Sequence, residues 1–173
     1  WTRGFLDSFL ADNGYDLAPY LPALYDEDSP GCFVSFPEPD FRFDEYNKQI
    51  LNDYHEFVTR LYIENHLKPL TEFCERHEIN MRYQTSYGKS LELAQTAMYV
   101  TIPETETLYG GDILDFYRLQ SGSMHLSGKQ IYSIEASAEM NGRGNGGINS
   151  GNYQQTWGNQ LWHMGRAFSC GVN

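Results

Sequence analysis

Apolar positions recur at helical spacing from the start of the chain, at Phe5, Leu6, Phe9 and Leu10, with Thr2 placed to cap the run and Asn13-Gly14 to stop it. Pro19 and Pro22 then forbid a regular helix interior. Pro30, Gly31, Pro37 and Pro39 mark residues 25–43 as a loop insertion, the kind of excursion that is usually functional or variable. From 44 to about 78 the pattern is helical again. Ile50, Tyr54, Phe57 and Leu61 form one stripe, continued by Leu70, Phe73 and Cys74, and Pro69 kinks the helix or begins a second one. Residues 81–85 alternate like a strand and Ser86-Tyr87-Gly88 closes them. A short helix over 90–99 turns Leu91, Ala94 and Met98 inward, and 100–104 is a second strand. A helix over 112–126 stops at Ser127-Gly128, and 130–137 is a third strand. After a Gly-rich loop over 138–155, Thr156 caps a last helix reaching about Phe168, with Leu161, Met164 and Phe168 on one stripe.

Strand and helix alternate throughout, the signature of parallel α/β units. The expected fold class is α/β, a portion of a (β/α)8 TIM-type barrel. The chain has 173 residues, against the roughly 250 that a complete barrel usually needs. The expectation is therefore one partial barrel domain over 1–173, about half of the whole.

Charge narrows the partners. Twelve Lys and Arg against 23 Asp and Glu give a formal net charge of -11, which disfavours nucleic acid and anionic membranes. No apolar run approaches the ~20 residues of a membrane span. Thirteen Tyr, 10 Phe and 3 Trp suit the stacking of sugar C–H faces on rings, although core packing is the commoner use of any single ring. Cys32, Cys74 and Cys170 are too far apart for a zinc site or a disulfide framework, and Cys74 reads as a small core residue. His55, His66, His77, His125 and His163 lack HExxH-type spacing.

The candidate chemistry lies at two strand ends that finish on carboxylates, Ile102-Pro103-Glu104-Thr105-Glu106 and Tyr132-Ser133-Ile134-Glu135. Strand C-terminal ends converge on the active face of a parallel barrel, and carboxylates delivered there can perform acid/base work on a glycosidic bond. Glu135 ends an apolar run, so it needs partners or a polar cavity; a buried ion pair is the structural alternative. Glu104, aimed by Pro103, suits a cation, a sugar hydroxyl or the catalytic water, or equally the amides of a loop. Glu106 lies further out and Glu139 reads as a loop residue. Tyr83, Gln84, Thr85 and Tyr87 can line the same face, and the Gln84 amide can both donate to and accept from a hydroxyl. The Gly-rich loop has the wrong form for a phosphate cradle. It reads as a cover over the barrel mouth, from which Arg143 or Tyr153 reaches substrate, or as a simple linker.

Taken in order, Trp1-Thr2, Phe5-Leu6, Gly14-Tyr15-Asp16-Leu17 and Pro19-Tyr20-Leu21-Pro22-Ala23-Leu24 resemble the segment after the fourth barrel strand of glycoside hydrolase family 106, the α-L-rhamnosidases. Asn65-His66-Leu67-Lys68-Pro69-Leu70 through Cys74 and His77 resembles that family's next long helix. Ile102-Pro103-Glu104 and Ser133-Ile134-Glu135-Ala136 resemble its sixth and seventh strand ends. The resemblance covers most of the chain except 26–40 and the Gly-rich loop, and it places the chain at about strands 5–7 with flanking helices. It implies an inverting glycosidase releasing L-rhamnose from plant or pectic glycans, often with calcium, acting outside the cell or in the periplasm. By position Glu135 corresponds to the general base and Glu104 to a glutamate near the sugar or calcium, while the general acid is expected upstream of Trp1. Two other readings stay open: a retaining β-galactosidase-like enzyme with Glu135 as nucleophile, and a non-catalytic carbohydrate-binding relative. A third is a purely structural α/β domain whose carboxylates are ion-paired.

Overall fold

The computed structural model describes residues 2–24, 47–85, 91–106, 114–135 and 153–173. The chain divides into two units, one within Trp1–Asn65 and Ser86–Glu92, the other within His66–Thr85 and Leu93–Asn173.

In the first unit Gly4, at φ 78°, turns the chain into α1 (Phe5–Asn13), and Gly14, also left-handed, ends it. The expected cap at Thr2 is not used. The helix starts at Phe5, whose N–H donates to the Thr2 carbonyl, and no side chain caps it. The two prolines give a 3-10 turn over Ala18–Leu24 rather than an α-helix. Helix α2 (Asn47–Tyr62) buries Ile50 and Phe57 on the expected stripe, against Phe9, Leu17 and Ala23. Phe57 meets Phe5 and Phe9 edge-on, with centroids 5.1 and 5.3 Å apart, and full burial of such a ring contributes about 1.5–3 kcal/mol.

A π-helical turn (Ile63–Leu67) joins α2 to α3 (Lys68–Arg76). It falls where Pro69 predicts a break. Pro69 is the second residue of α3, so its missing N–H falls at the change from π to α winding. The boundary between the two units falls inside this turn.

The second unit alternates strictly. After α3 come β1 (Arg82–Tyr83), α4 (Leu93–Thr96) with a 3-10 turn (Ala97–Tyr99), β2 (Ile102–Glu106), α5 (Leu114–Leu126), β3 (Ser133–Glu135) and α6 (Tyr153–Ser169). The strands form one parallel sheet in the order β1-β2-β3. Among the described residues the protein is thus mixed α/β, with six α-helices and a three-stranded parallel sheet. Tyr132, Ile134, Tyr117, Met124, Ala167 and Cys170 pack together, so α5 and α6 share a core with β3.

Several boundaries move. The second strand begins at Ile102 rather than Val100 and runs through Glu106, which is therefore a buried strand residue and not an outlying one. Met98 and Phe73 are exposed, not inward. Helix α6 begins before Thr156, so Thr156 does not cap it. Its Leu161 and Phe168 are 63% and 52% exposed, whereas His163, Ala167 and Cys170 are buried. Ala167 and Cys170 are small because the space beside the sheet is already filled by Tyr117 and Tyr132. The insertion over 25–43 lies outside the described residues, as does 138–152 of the Gly-rich loop.

Three helices of this unit end in the same way. The N–H of Ile79, Lys129 and Val172 returns to the carbonyl of Cys74, Met124 and Ala167, and the preceding residue bonds to Glu75, His125 and Phe168. These are Schellman motifs, which need a left-handed residue at the turn. Gly128 and Gly171 supply it at φ 71° and 98°, while in α3 the position is held by Glu78 at φ 57°.

Candidate active site

The sheet has a polar face and an apolar face. Register sets Ser133 beside Glu104, Ile134 beside Thr105 and Glu135 beside Glu106. Because side chains alternate along a strand, Glu104, Glu106, Ser133 and Glu135 share one face with Arg82 and Gln84 of the β1 segment. Thr105, Tyr132 and Ile134 take the opposite face, toward the helices.

Glu104 is buried and its carboxylate is well supplied with donors. Arg82 Nε pairs with Oε2, Ser133 Oγ donates to Oε2 at 3.0 Å, and Gln84 Nε2 donates to Oε1 at 3.3 Å. A buried carboxylate is tolerable when paired and hydrogen-bonded in this way. Gln84 Nε2 also donates to Glu135 Oε2 at 2.7 Å. One amide nitrogen therefore ties the two glutamates together and fixes the direction of Glu135.

The site inverts one expectation. Glu135 is exposed rather than buried, and Glu104 and Glu106 are the enclosed carboxylates, Glu106 at 4% exposure. Chemically the two kinds differ. Glu104, saturated by donors, is a fixed electrostatic anchor. Glu135 is held through Oε2, and among the described residues its Oε1 carries no hydrogen bond, so it can accept a proton from water or a hydroxyl.

The structure brings Gln84, Glu104 and Glu135 together, as the sequence predicts. Tyr83 and Thr85 do not join them. The Tyr83 hydroxyl lies 2.8 Å from His66 Nε2 on the other side of the strand, and Thr85 is buried against Thr96. Tyr87, Glu139 and Arg143 lie outside the described residues, and Tyr153 opens α6. Arg82 and Ser133 escape the sequence reading, although Arg82 was accessible to it: two residues before Gln84 in an alternating segment, it shares that residue's face.

Glu104 presents both oxygens to N–H and O–H donors, and among the described residues no group of three His, Cys, Asp or Glu could hold a metal ion. Nor is any helix among them long and apolar enough to cross a membrane.

No family model, curated protein or solved structure matches the chain.

Proposed function

We propose that the chain is the part of a (β/α)8 glycoside hydrolase barrel that carries the general base of an inverting α-L-rhamnosidase. The observation that supports this most is the pair of unlike carboxylates on one face of adjacent parallel strands, Glu104 in the middle of β2 and Glu135 at the C-terminal end of β3. Glu135 is exposed and accepting, Glu104 is enclosed and anchored, and the amide of Gln84 joins them. Sequential parallel strands in the order 1-2-3 accord with a barrel wall, and the family resemblance supplies the sugar.

In this reading a water held against Glu135 Oε1 loses its proton to the carboxylate as it attacks the anomeric carbon. The general acid, expected upstream of Trp1, protonates the leaving oxygen on the opposite face. Inverting pairs stand roughly 6.5–9.5 Å apart to admit that water. Glu104 contributes negative charge near the developing oxocarbenium ion and, through Gln84, the aim of the base. Calcium takes no step here. Rhamnose-containing plant or pectic glycans are the proposed substrates, with action outside the cell or in the periplasm.

One observation favours the retaining alternative. Two oxygens bonded to the same nitrogen lie at most about 6 Å apart, close to the roughly 5–5.5 Å of retaining pairs. Against it, Glu104 is ion-paired and enclosed, which suits an anchor better than a proton shuttle.

Proton NMR of the complete enzyme acting on an aryl α-L-rhamnoside tests the proposal through the anomer first released. Release of β-L-rhamnose, abolished by Glu135→Gln with substrate binding retained, is expected. The α-anomer would make Glu135 a nucleophile, and near-normal turnover by Glu135→Gln would remove it from the chemistry.

A further inference from the structure

A cavity lies at the other end of the same strands. It is framed by α3, by the residues leading into β2 and by the turn leading toward β3, and its volume is about 400 Å³. That is within the roughly 300–1,000 Å³ of small-ligand pockets. The cavity is lined by residues that precede β2 and β3, whereas the carboxylates described above lie within or at the C-terminal end of those strands, so the cavity belongs to a different surface of the unit.

Its wall is built, not incidental. Lys68, Thr71, Glu72 and Glu75 follow the 3.6-residue period and form one face of α3. Lys68 Nζ lies 5.3 Å from the centroid of the Tyr99 ring, and Thr71 Oγ1 donates 2.6 Å to the Tyr99 backbone carbonyl, so α3 contacts both the ring and the backbone of Tyr99. Across the cavity Lys129 Nζ donates to the Met98 carbonyl at 2.6 Å and to Ser127 Oγ at 2.8 Å. Partial burial lowers the pKa of this ammonium. Thr101 also lines the cavity. Its Oγ1 is buried and has no hydrogen-bond partner among the described residues, an omission that normally costs about 1–3 kcal/mol.

The lining selects a ligand class. Two ammonium groups and two carboxylates share the lining, so a free anion meets Glu72 and Glu75, and a free cation meets Lys68 and Lys129. A hydroxyl both donates and accepts, and so suits carboxylates, ammonium groups and the lone Thr101 oxygen alike. Tyr99, 37% exposed, offers an apolar ring beside them, and Met98 adds an adaptable side chain.

We propose that this cavity is a second saccharide-binding site, taking a neutral mono- or disaccharide unit of a glycan at the N-terminal end of the strands. The choice of sugar builds on the glycosidase reading; the site itself rests on the lining. It gives the protein a hold on the polymer away from the bond being cleaved.

The test uses the complete protein with ¹³C-methyl methionine, of which this chain contributes five. Met98 reports the cavity and the other methyls report the fold. A neutral rhamnose disaccharide is titrated, with glycine and sodium acetate as zwitterionic and anionic probes. A saturable shift of Met98 with the disaccharide alone is expected. Tyr99→Ala should weaken it about tenfold, equivalent to about 1.4 kcal/mol, and Thr101→Val, which keeps the shape, should weaken it severalfold. A still Met98 signal, equal affinity in both variants, or a comparable response to glycine or acetate would overturn the proposal. Binding is read without turnover. A protein that binds here but releases no rhamnose therefore counts against the glycosidase reading alone, and the converse result counts against this site alone.

Discussion

Gln84 and Glu135 are separated by 51 positions in sequence, yet the Gln84 amide nitrogen lies 2.7 Å from Glu135 Oε2. The bond is short because β1 and β3 flank the same central strand and both side chains leave its polar face. Glu104 accepts from the same nitrogen, so the amide is held at both carboxylates and orients Glu135 through Oε2.

Under the proposed glycosidase function, Gln84→Ala should therefore damage turnover more than stability. Misplacement by about 1 Å can cost roughly 100-fold, so a 10- to 100-fold fall in kcat is expected, with little change in the melting temperature. Steady-state kinetics on an aryl rhamnoside, paired with thermal melts, checks it. An equal fall in melting temperature and rate would mean that Gln84 is merely structural.

Arg82 and Glu104 make a half-exposed ion pair, with side chains 56% and 10% exposed. Removing the guanidinium leaves an enclosed carboxylate with only neutral donors. Arg82→Met is expected to destabilise by about 1.5–3 kcal/mol, the range for hydrogen bonds to charged groups, and the double variant Arg82→Met/Glu104→Gln should recover most of the loss. Urea unfolding of the three variants measures the coupling, and additive effects would show that the pair contributes nothing.

How much of this was legible in the sequence depends on whether the decisive contact is local. The stop at Gly14 and the buried stripe through Ile50 and Phe57 follow from glycine geometry and helical period, both of which are local. So does the restart at Pro69. Glu135 does end its strand, whereas Glu104 lies in the middle of β2, and the exposures are not local properties, because Glu104 is enclosed by Arg82 and Ser133 from two other strands. No local signal announces those partners. The apolar stripe of α6 misled for a related reason: contact with a sheet already filled by Tyr117 and Tyr132 selects small residues, so Ala167 and Cys170 face inward while Leu161 does not.

The three Schellman ends give a paired prediction. Glu78 holds a left-handed conformation that costs a residue with a Cβ about 1–2 kcal/mol, partly offset by the chain entropy of glycine. Glu78→Gly should raise stability by about 0.5–1 kcal/mol. At the equivalent place after α6, a Cβ on Gly171 would stand 3.0 Å from Ser121 Cβ and take φ 98°. Gly171→Ala should lower stability by about 1–3 kcal/mol. Denaturant midpoints of both variants, opposite in sign, check the assignment.

Alkaline pH should separate Tyr15 from an ordinary phenol. Burial, together with its hydrogen bond to Asp53 at 3.1 Å, pushes the Tyr15 pKa from 10.0 up to about 12. The neutral phenol is the form that folding favours, since ionisation would set a phenolate against the Asp53 carboxylate. Below pH 10 both folded and unfolded chains keep the proton and the contribution is complete. Between pH 10 and about 12 the unfolded chain releases it first, so the folded state holds more protons and stability falls as pH rises. Tyr54 and Tyr132 are raised by burial too and add slopes of the same sign. The informative quantity is accordingly the difference between wild type and Tyr15→Phe. Urea midpoints followed across that window should fall less steeply in the variant, and the ultraviolet phenolate titration should lose one late-ionising group. Parallel slopes in the two proteins would mean that the Tyr15–Asp53 bond does not persist in solution.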